Sequence, residues 1–431
     1  MASSKRILRG CKTFARQTLL RLLPKKFRYY LFRRALRLHM PPSELTVKLA
    51  DTREELEAAL TVLHDSYVQE GLMKPHPSGM RLTKYHALPS TSTFVAKWNG
   101  EVVGTLSVIR DSTFGFPSEK VVDVSALRAQ GARIAEPSGL AVRKDFQHRQ
   151  GGLILFALIK YLTNYCFDYF GVDYWVIAVN PKNVPLYEGI LFFDQVASAH
   201  AKHYEYVNGA PAVGLFVNLE DFYMRLLANY WRLPQERNLF NYLFRSFLPK
   251  FVFPNRKFFK ISDPFLTPES LKYFFSEKSD TFEVLSENER LSLRSVYDLR
   301  TYGPILPAAK NLPDPKQRRK EPRFEGKFKG KISCAKQTFD MVLIQVGPSG
   351  FGAVVDGKLL QGQAVNAKVA IGGFEVAVLR AVCVWCGGNN LYGFSNLSCS
   401  ENWSSFIHYL QEDLDRAVSS LLQSDSAKKA A

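Results

Sequence analysis

Glu136 opens the run Glu-Pro-Ser-Gly-Leu-Ala-Val-Arg-Lys-Asp-Phe-Gln-His-Arg-Gln-Gly-Gly. A carboxylate beside a short apolar strand, Leu140–Val142, is placed to take a proton in group-transfer chemistry. The polar turn Arg143–Gln150 follows, and the glycine pair Gly151-Gly152 then starts an apolar helix, Leu153 to Phe170. Glycines at a helix start let backbone amides approach a ligand, and the unpaired N–H groups there attract phosphate. Gln147 and Arg149 lie in the same turn. Such a passage also arises from packing alone, with Glu136 as an exposed strand-end residue. A second constellation lies far along the chain: the basic run Gln317-Arg318-Arg319-Lys320-Glu321-Pro322-Arg323, then the turn Val346-Gly347-Pro348-Ser349-Gly350-Phe351-Gly352. Paired guanidinium groups ahead of a polar turn suit a phosphate-bearing ligand.

The elements around Glu136 read as mixed α/β. Asp51-Thr52 opens a helical pattern to about Val68, with acidic residues in its first turn. A polar loop from Glu70 to Ser92 precedes a hairpin: Thr93–Trp98, the turn Asn99-Gly100, and Glu101–Arg110. Asp111–Ser125 is a second long loop. Strand Val172–Val179 follows the apolar helix and leads through Asn180-Pro181 to Tyr187, and Gly214–Leu219 adds one more strand.

This order resembles the GNAT acyltransferase fold over roughly residues 44–220, whose diphosphate-binding turn reads Gln/Arg-x-x-Gly-x-Gly/Ala. Gln147 and Gly152 fit that pattern, and Gln150 stands where the first glycine is usual. His64-Asp-Ser-Tyr-Val-Gln-Glu-Gly-Leu, the stretch from Met80 through Arg81, and residues 102–112 are similar to the FeeM-type long-chain N-acyl amino acid synthases, relatives of the acyl-homoserine-lactone synthases. The resemblance implies transfer of a fatty acyl group from acyl carrier protein, or acyl-CoA, to an amino acid amine. It implies Glu136 as base and Tyr187 as the acid that protonates the leaving thiolate. Leu140, Ala141 and Val142 would receive the pantetheine arm. Gln147, Arg149, Gly151 and Gly152 would hold its phosphate, and Arg81 and Asp111 would meet the charged ends of the amino acid. Phe192-Phe193 reads as core first and acyl pocket second.

Residues 221–312 are rich in Phe, Tyr, Lys and Arg and carry short helical signals, including Thr267-Pro268-Glu269-Ser270. They read as an accessory helical layer walling the acyl chain, or as a hydrophobic bridge between domains. The proline-punctuated stretch Tyr302–Pro315 reads as a linker. Short strands with glycine turns then run to a terminal helix, Glu401–Leu421. With the basic run and the Ser349 turn, residues 316–425 resemble the PilZ domain, a small β-barrel. That resemblance implies cyclic di-GMP as regulatory ligand, held by Arg318, Arg319, Arg323, Ser349 and Gly352. Gly347 stands where the family has an acidic or amide residue, a loss worth about 1–3 kcal/mol of binding.

The 431-residue chain is 46% hydrophobic and 23% charged, with a net charge of +17. Residues 1–43 contain many Lys and Arg and no Asp or Glu. Leu20, Leu23, Phe27, Leu31 and Leu38 recur there at roughly helical spacing. Charge interrupts this arm too often for a transmembrane span or secretory signal. It suits an anionic membrane surface, with a domain-packing arm, a nucleic-acid arm and a targeting sequence as rivals. Six cysteines without a disulfide framework point to a reducing compartment. Cys383-Val-Trp-Cys386 lies in an apparent strand, where its thiols should face opposite sides as packing residues. No metal or tightly bound cofactor is expected. The expected fold is a GNAT-like α/β domain with accessory helices plus an all-β PilZ barrel, in the bacterial cytoplasm at the inner face of the membrane. Three classes stand: an acyltransferase controlled by cyclic di-GMP, a non-catalytic effector that binds carrier protein or lipid, and a nucleic-acid binder, for which no folded recognition motif is present.

Overall fold

The computed structural model describes residues 23–112, 114–147, 152–196, 201–260, 263, 266–297, 299, 301–310, 324–334, 337–388 and 390–412. Arg149, Gly151, Arg318, Arg319 and Arg323 lie outside these residues, as does most of the basic arm.

Period-two alternation builds the central sheet. In β2 (Thr91–Trp98), Phe94 and Ala96 face one apolar core and Val95 the other. In β5 (Tyr174–Val179), Trp175, Ile177 and Val179 face the first core and Val176 the second. The remaining strands are β1 (Leu45–Leu49), β3 (Glu101–Arg110), β4 (Ile134–Val142), β6 (Asp194–Gln195), β7 (Lys202–His203), β8 (Pro211–Asn218) and β9 (Phe251–Val252). Their order is β6-β8-β5-β4-β3-β2-β1-β9, with β7 paired to β8. Adjacent strands are antiparallel except the pairs β4–β5 and β1–β9. The β2–β3 turn places Asn99 and Gly100 at φ 48° and 89°, both in the left-handed region that a two-residue hairpin requires.

Helices cover both faces. α1 (Lys25–Ala35) comes first in the chain. α2 (Arg53–Gln69) is capped by Thr52, which accepts from Glu55 N, and buries Leu56, Ala59 and Leu60 in the second core. α3 (Leu153–Asn164) continues through a π-helical turn, Tyr165–Phe170, and its Ile154, Ala157, Leu158 and Tyr161 fill the first. α4 (Val184–Leu191) lies beside it, and α5 (Leu219–Tyr230) buries Phe222 and Leu226 in the same core.

From Lys25 onward the N-terminal region packs on the domain, the rival to the membrane-surface reading. α1 packs on α4: Tyr29 and Lys25 hold the Glu188 carboxylate, and Arg33 donates to Gly189 O at 2.9 Å. A Cβ at Gly189 would press on Tyr29 and Phe32, so the close approach needs glycine. Leu36 and Leu38 are buried. Exposed Phe27 and Tyr30 remain on the outer side. No helix among the described residues is long and apolar enough to cross a membrane.

Residues 221–310 are integrated into the domain, not a separate layer. Phe240, Leu243 and Leu248 join the first core and β9 extends the sheet, whereas α6 (Pro268–Lys272) and α7 (Glu287–Val296) supply Leu271 and Leu293 to the second. Tyr302 and Leu306, expected in a linker, are buried there too. Hydrophobic burial on two opposite faces outweighs the local proline signal.

The C-terminal unit is a closed six-stranded barrel, ordered β10-β11-β12-β15-β14-β13. Its strands are β10 (Phe324–Cys334), β11 (Gln337–Val346), β12 (Gly350–Val355), β13 (Ala364–Ala370), β14 (Val376–Cys386) and β15 (Leu391–Cys399). Helical residues 401–412 plug it with Trp403, Phe406 and Ile407. Phe258 and Phe259 belong to the barrel's core, and Phe259 N donates to Ile371 O at 2.9 Å. Two ion pairs reinforce the junction, Lys327–Asp111 at 3.3 Å and Lys329–Asp173 at 3.0 Å.

One strand reading is overturned. Cys383 and Cys386 do not face opposite sides: their sulfurs lie 3.7 Å apart. A register shift between Cys383 and Trp385 inserts an extra residue into β14, and that bulge reverses the alternation.

Candidate active site

The cavity opens where the sheet divides. β4 and β5 pair only at Ile134–Tyr174 and Ala135–Trp175. Beyond these, the strands part around a cavity of about 360 Å³. β4 contributes Glu136 to Leu140 to its lining, and β5 contributes Trp175 and Ile177 to Val179. The β3–β4 register also shifts: Thr105 pairs with Ala141 and Ser107 with Ser138, so Gly139 and Leu140 together oppose Leu106. Gly139 has φ 64°, a left-handed conformation that glycine adopts without a Cβ penalty. The bulge breaks the ladder and turns backbone into the cavity.

Glu136 is 3% exposed, and its Oε2 accepts from Ser118 N at 2.9 Å. Burial pushes its carboxyl up to about 8, even though the Ser118 hydrogen bond favours the charged form. The Ser118 turn is itself clamped. Glu119 accepts from Phe116 N at 2.8 Å, and Arg128 holds both Glu119 and Asp111. Asp111 therefore does not line the cavity: its carboxylate is spent on Arg128 at 2.7 Å and on Lys327 of the barrel. Its expected role toward an amino acid is corrected to a structural one. An opposite charge recruited from elsewhere in the chain outcompetes a solvent-facing loop position.

Arg81 is placed differently. Its guanidinium lies over the rings of Tyr67 and Tyr206, 4.3 and 4.8 Å from their centroids, and donates to Tyr206 O at 2.6 Å. It is 8% exposed, and no carboxylate among the described residues pairs with it. Both tyrosines line the cavity. The arginine thus backs the polar end, where Tyr204 also presents a buried hydroxyl without a hydrogen-bond partner among the described residues. Tyr187 lines the same cavity edge-on to Phe193, its phenol pushed above its ordinary range by burial. Leu106, Ile159, Leu162, Trp175 and Phe193 form the apolar wall. Phe193 is a buried core residue that also lines the cavity, whereas Phe192 packs against Tyr230. No described residue of 221–310 lines the cavity; those residues pack into the two cores.

The remaining expected donors are partly engaged. Leu140 reaches the cavity, and Ala141 is buried against Val62 and Leu63. Val142 O accepts from the Gln147 side chain at 3.0 Å, so Gln147 braces the strand end. Gly152 caps α3 at φ 88°. Tyr67, Tyr204, Tyr206 and Ser118 were not picked out as functional in the sequence. Tyr67 sits inside the His64–Leu72 stretch, but the other three carry no local signal.

Among the described residues no group of three or more His, Cys, Asp or Glu could hold a metal ion. The arrangement can bind an apolar chain beside a polar, carboxylate-bearing end, as acyl transfer requires. Residues 58–218 match the family described as N-acyl amino acid synthase FeeM. The solved structure of FeeM, an N-acyl amino acid synthase from uncultured soil microbes, is 23% identical, over 43% of this chain and 97% of that one, with a TM-score of 0.37. The CoA-dependent acyl-homoserine lactone synthase BjaI, solved with SAM and isopentyl-CoA, is 19% identical over 42% and 89%, with a TM-score of 0.31. Spermidine N-acetyltransferase SpeG of Vibrio cholerae is 15% identical over 42% and 97%, with a TM-score of 0.30. No curated protein matches the sequence. Residues 58–218 thus carry the N-acyl amino acid synthase FeeM family domain, and the protein is an acyltransferase.

Proposed function

We propose that the enzyme transfers a long-chain acyl group from a thioester donor, acyl carrier protein or acyl-CoA, to the amine of an amino acid. The observation that carries this reading is Glu136, a buried carboxylate at the parting of β4 and β5, between an apolar wall and the Tyr67 and Tyr206 rings, behind which Arg81 lies with no carboxylate partner among the described residues. The thioester lies along the open edge of β4, its chain against Trp175 and Phe193. Glu136 takes the proton as the amine attacks the thioester carbonyl. N–H groups at the Gly139 bulge receive the developing oxyanion. Tyr187 gives a proton to the departing thiolate, and Arg81 holds the acceptor's carboxylate, a task suited to a planar fork of donors.

The barrel supports a regulatory role for cyclic di-GMP. Ser349 sits at the β11–β12 turn, Gly352 lies in β12, and the basic leader precedes β10. The basic, aromatic outer side of α1 supports peripheral contact with an anionic membrane at the cytoplasmic face. The test is a product assay by mass spectrometry. Wild-type protein is supplied with palmitoyl carrier protein or palmitoyl-CoA and a panel of amino acids, with and without cyclic di-GMP. An N-acyl amino acid is expected, at a rate that cyclic di-GMP changes. No product from either donor overturns the catalytic reading. Product formation indifferent to cyclic di-GMP, with no calorimetric heat of binding, overturns the regulatory one.

A further inference from the structure

The Cys383–Cys386 pair in β14 takes no part in acyl transfer, and its geometry is unusual for a strand. Residues three apart on a regular strand point to opposite faces. Here β14 steps two residues, Cys383 to Trp385, while β15 steps one, Phe394 to Gly393. The extra residue, Val384, brings both sulfurs to one side, 3.7 Å apart. A disulfide needs about 2.0–2.1 Å between sulfurs, so the two must approach further before they bond.

The bulge is firmly held. Cys383 N donates to Gln363 O at 3.0 Å, and Gly362 N donates to Cys383 O at 2.7 Å. Gly387 N closes the strand end on Leu391 O at 2.7 Å. The Trp385 indole covers Gly387 and Gly393, where any Cβ would collide with it. The two thiols differ in access: Cys383 is fully buried and Cys386 is exposed. Neither sulfur has a strong hydrogen-bond partner. Cys383 Sγ lies 3.5 Å from Trp385 O, and Cys386 Sγ lies 3.7 Å from Leu359 O.

We propose that Cys383 and Cys386 form a thiol–disulfide exchange site on the barrel, oxidised by a low-molecular-weight disulfide of the glutathione class. The Cys386 thiolate attacks one sulfur of the external disulfide and expels one thiolate, leaving a mixed disulfide on Cys386. Cys383, after losing its proton, attacks Cys386 Sγ and expels the second. The balance is one protein dithiol and one external disulfide giving one protein disulfide and two external thiols. The order follows from access, since the external reagent reaches Cys386 and not Cys383. Burial and the neighbouring Cys386 push the Cys383 thiol up to about 11. These outweigh the Trp385 backbone, which favours the thiolate, so the net setting does not stabilise a standing thiolate, the feature that would favour the reduced form. Closure removes the weak S–H contacts to Trp385 O and Leu359 O and ties the bulge across its own extra residue.

The experiment uses the full-length protein, reduced, freed of reductant and exposed to oxidised glutathione, followed by peptide mass spectrometry without reduction. The expected product in wild type is an internal Cys383–Cys386 link without bound glutathione. Cys399, the other exposed cysteine among the described residues, is the internal control, because no described thiol lies in hydrogen-bond contact with it and it should keep the glutathione it gains. Cys383→Ala should trap glutathione on Cys386, and Cys386→Ala should leave Cys383 unmodified. Wild type that retains glutathione on Cys386, or stays unreacted there while Cys399 is modified, overturns the proposal. Glutathione on Cys383 in Cys386→Ala overturns the assigned order. The wild-type result stands by itself if either variant fails to fold.

Discussion

Replacing Glu136 by Gln should abolish most of the activity and at the same time stabilise the protein at alkaline pH. Loss of a general base costs about 10²–10⁴-fold in rate. The stability change follows from burial. The carboxyl titrates near 4.5 when unperturbed and near 8 in the folded protein. The folded state therefore holds the proton more tightly than the unfolded chain. Stability from this site is complete below the unperturbed value and is lost as pH rises through the folded one. At about 1.4 kcal/mol per pH unit, the full loss is on the order of 4–5 kcal/mol. Glutamine stays neutral and escapes it. Denaturant unfolding of wild type and Glu136→Gln between about pH 4 and about pH 9 should give curves that separate as pH rises, mainly between the two titration points. Turnover by wild type should rise through the same region as the carboxylate forms. A constant stability difference across that range would refute the burial argument. Unchanged turnover in Glu136→Gln would refute the base, whatever the stability curves show.

Three further outcomes are expected. Arg128→Ala releases Glu119 and the Ser118 turn, so the N–H that favours the charged form of Glu136 is lost, and the acid limb of the pH–rate profile should move upward; an unmoved limb would separate the clamp from the base. Arg81→Met should raise KM for the amino acid by about 10-fold or more while leaving KM for the thioester nearly unchanged, as loss of a charged hydrogen bond of roughly 1.5–3 kcal/mol predicts; equal effects on both substrates would count against its assignment. Deleting residues 1–40 should lower the melting temperature, because Leu36 and Leu38 are buried and Tyr29 and Phe32 cover Gly189; an unchanged transition would make α1 a free arm after all.

Local chemistry made much of the fold legible. Asn99-Gly100 announced its hairpin, Thr52 its helix, and the glycine-turned strands a barrel. Glu136, in a strand, and Tyr187, in the helix after β5, both line the cavity. What escaped is set by contacts between distant segments. Tyr67 and Tyr206 meet Arg81, and Tyr204 meets Tyr206, only once α2, the loop after it and the β7–β8 region are folded together. Asp111 looked free because its partners, Arg128 and Lys327, lie 17 and 216 positions away. The two-residue β9 offers no periodicity, and a single inserted residue in β14 reversed the expected facing of Cys386. The first helix was visible as basic and amphipathic, but those properties do not say whether its apolar side meets lipid or protein.

The parting of β4 and β5 has a mechanical consequence. The two halves of the sheet are stitched by only two residue pairs, and each strand beyond the stitch carries an unpaired edge inside the domain. Unpaired edges seek partners. A thioester donor laid in the gap would act as a missing strand, bonding to β4 on one side and filling space against β5 on the other. The free enzyme should then be soft along this seam, with fast amide exchange at Leu140 and Val142, and should stiffen when its donor arrives. Substrate binding would complete the sheet as well as deliver the acyl group.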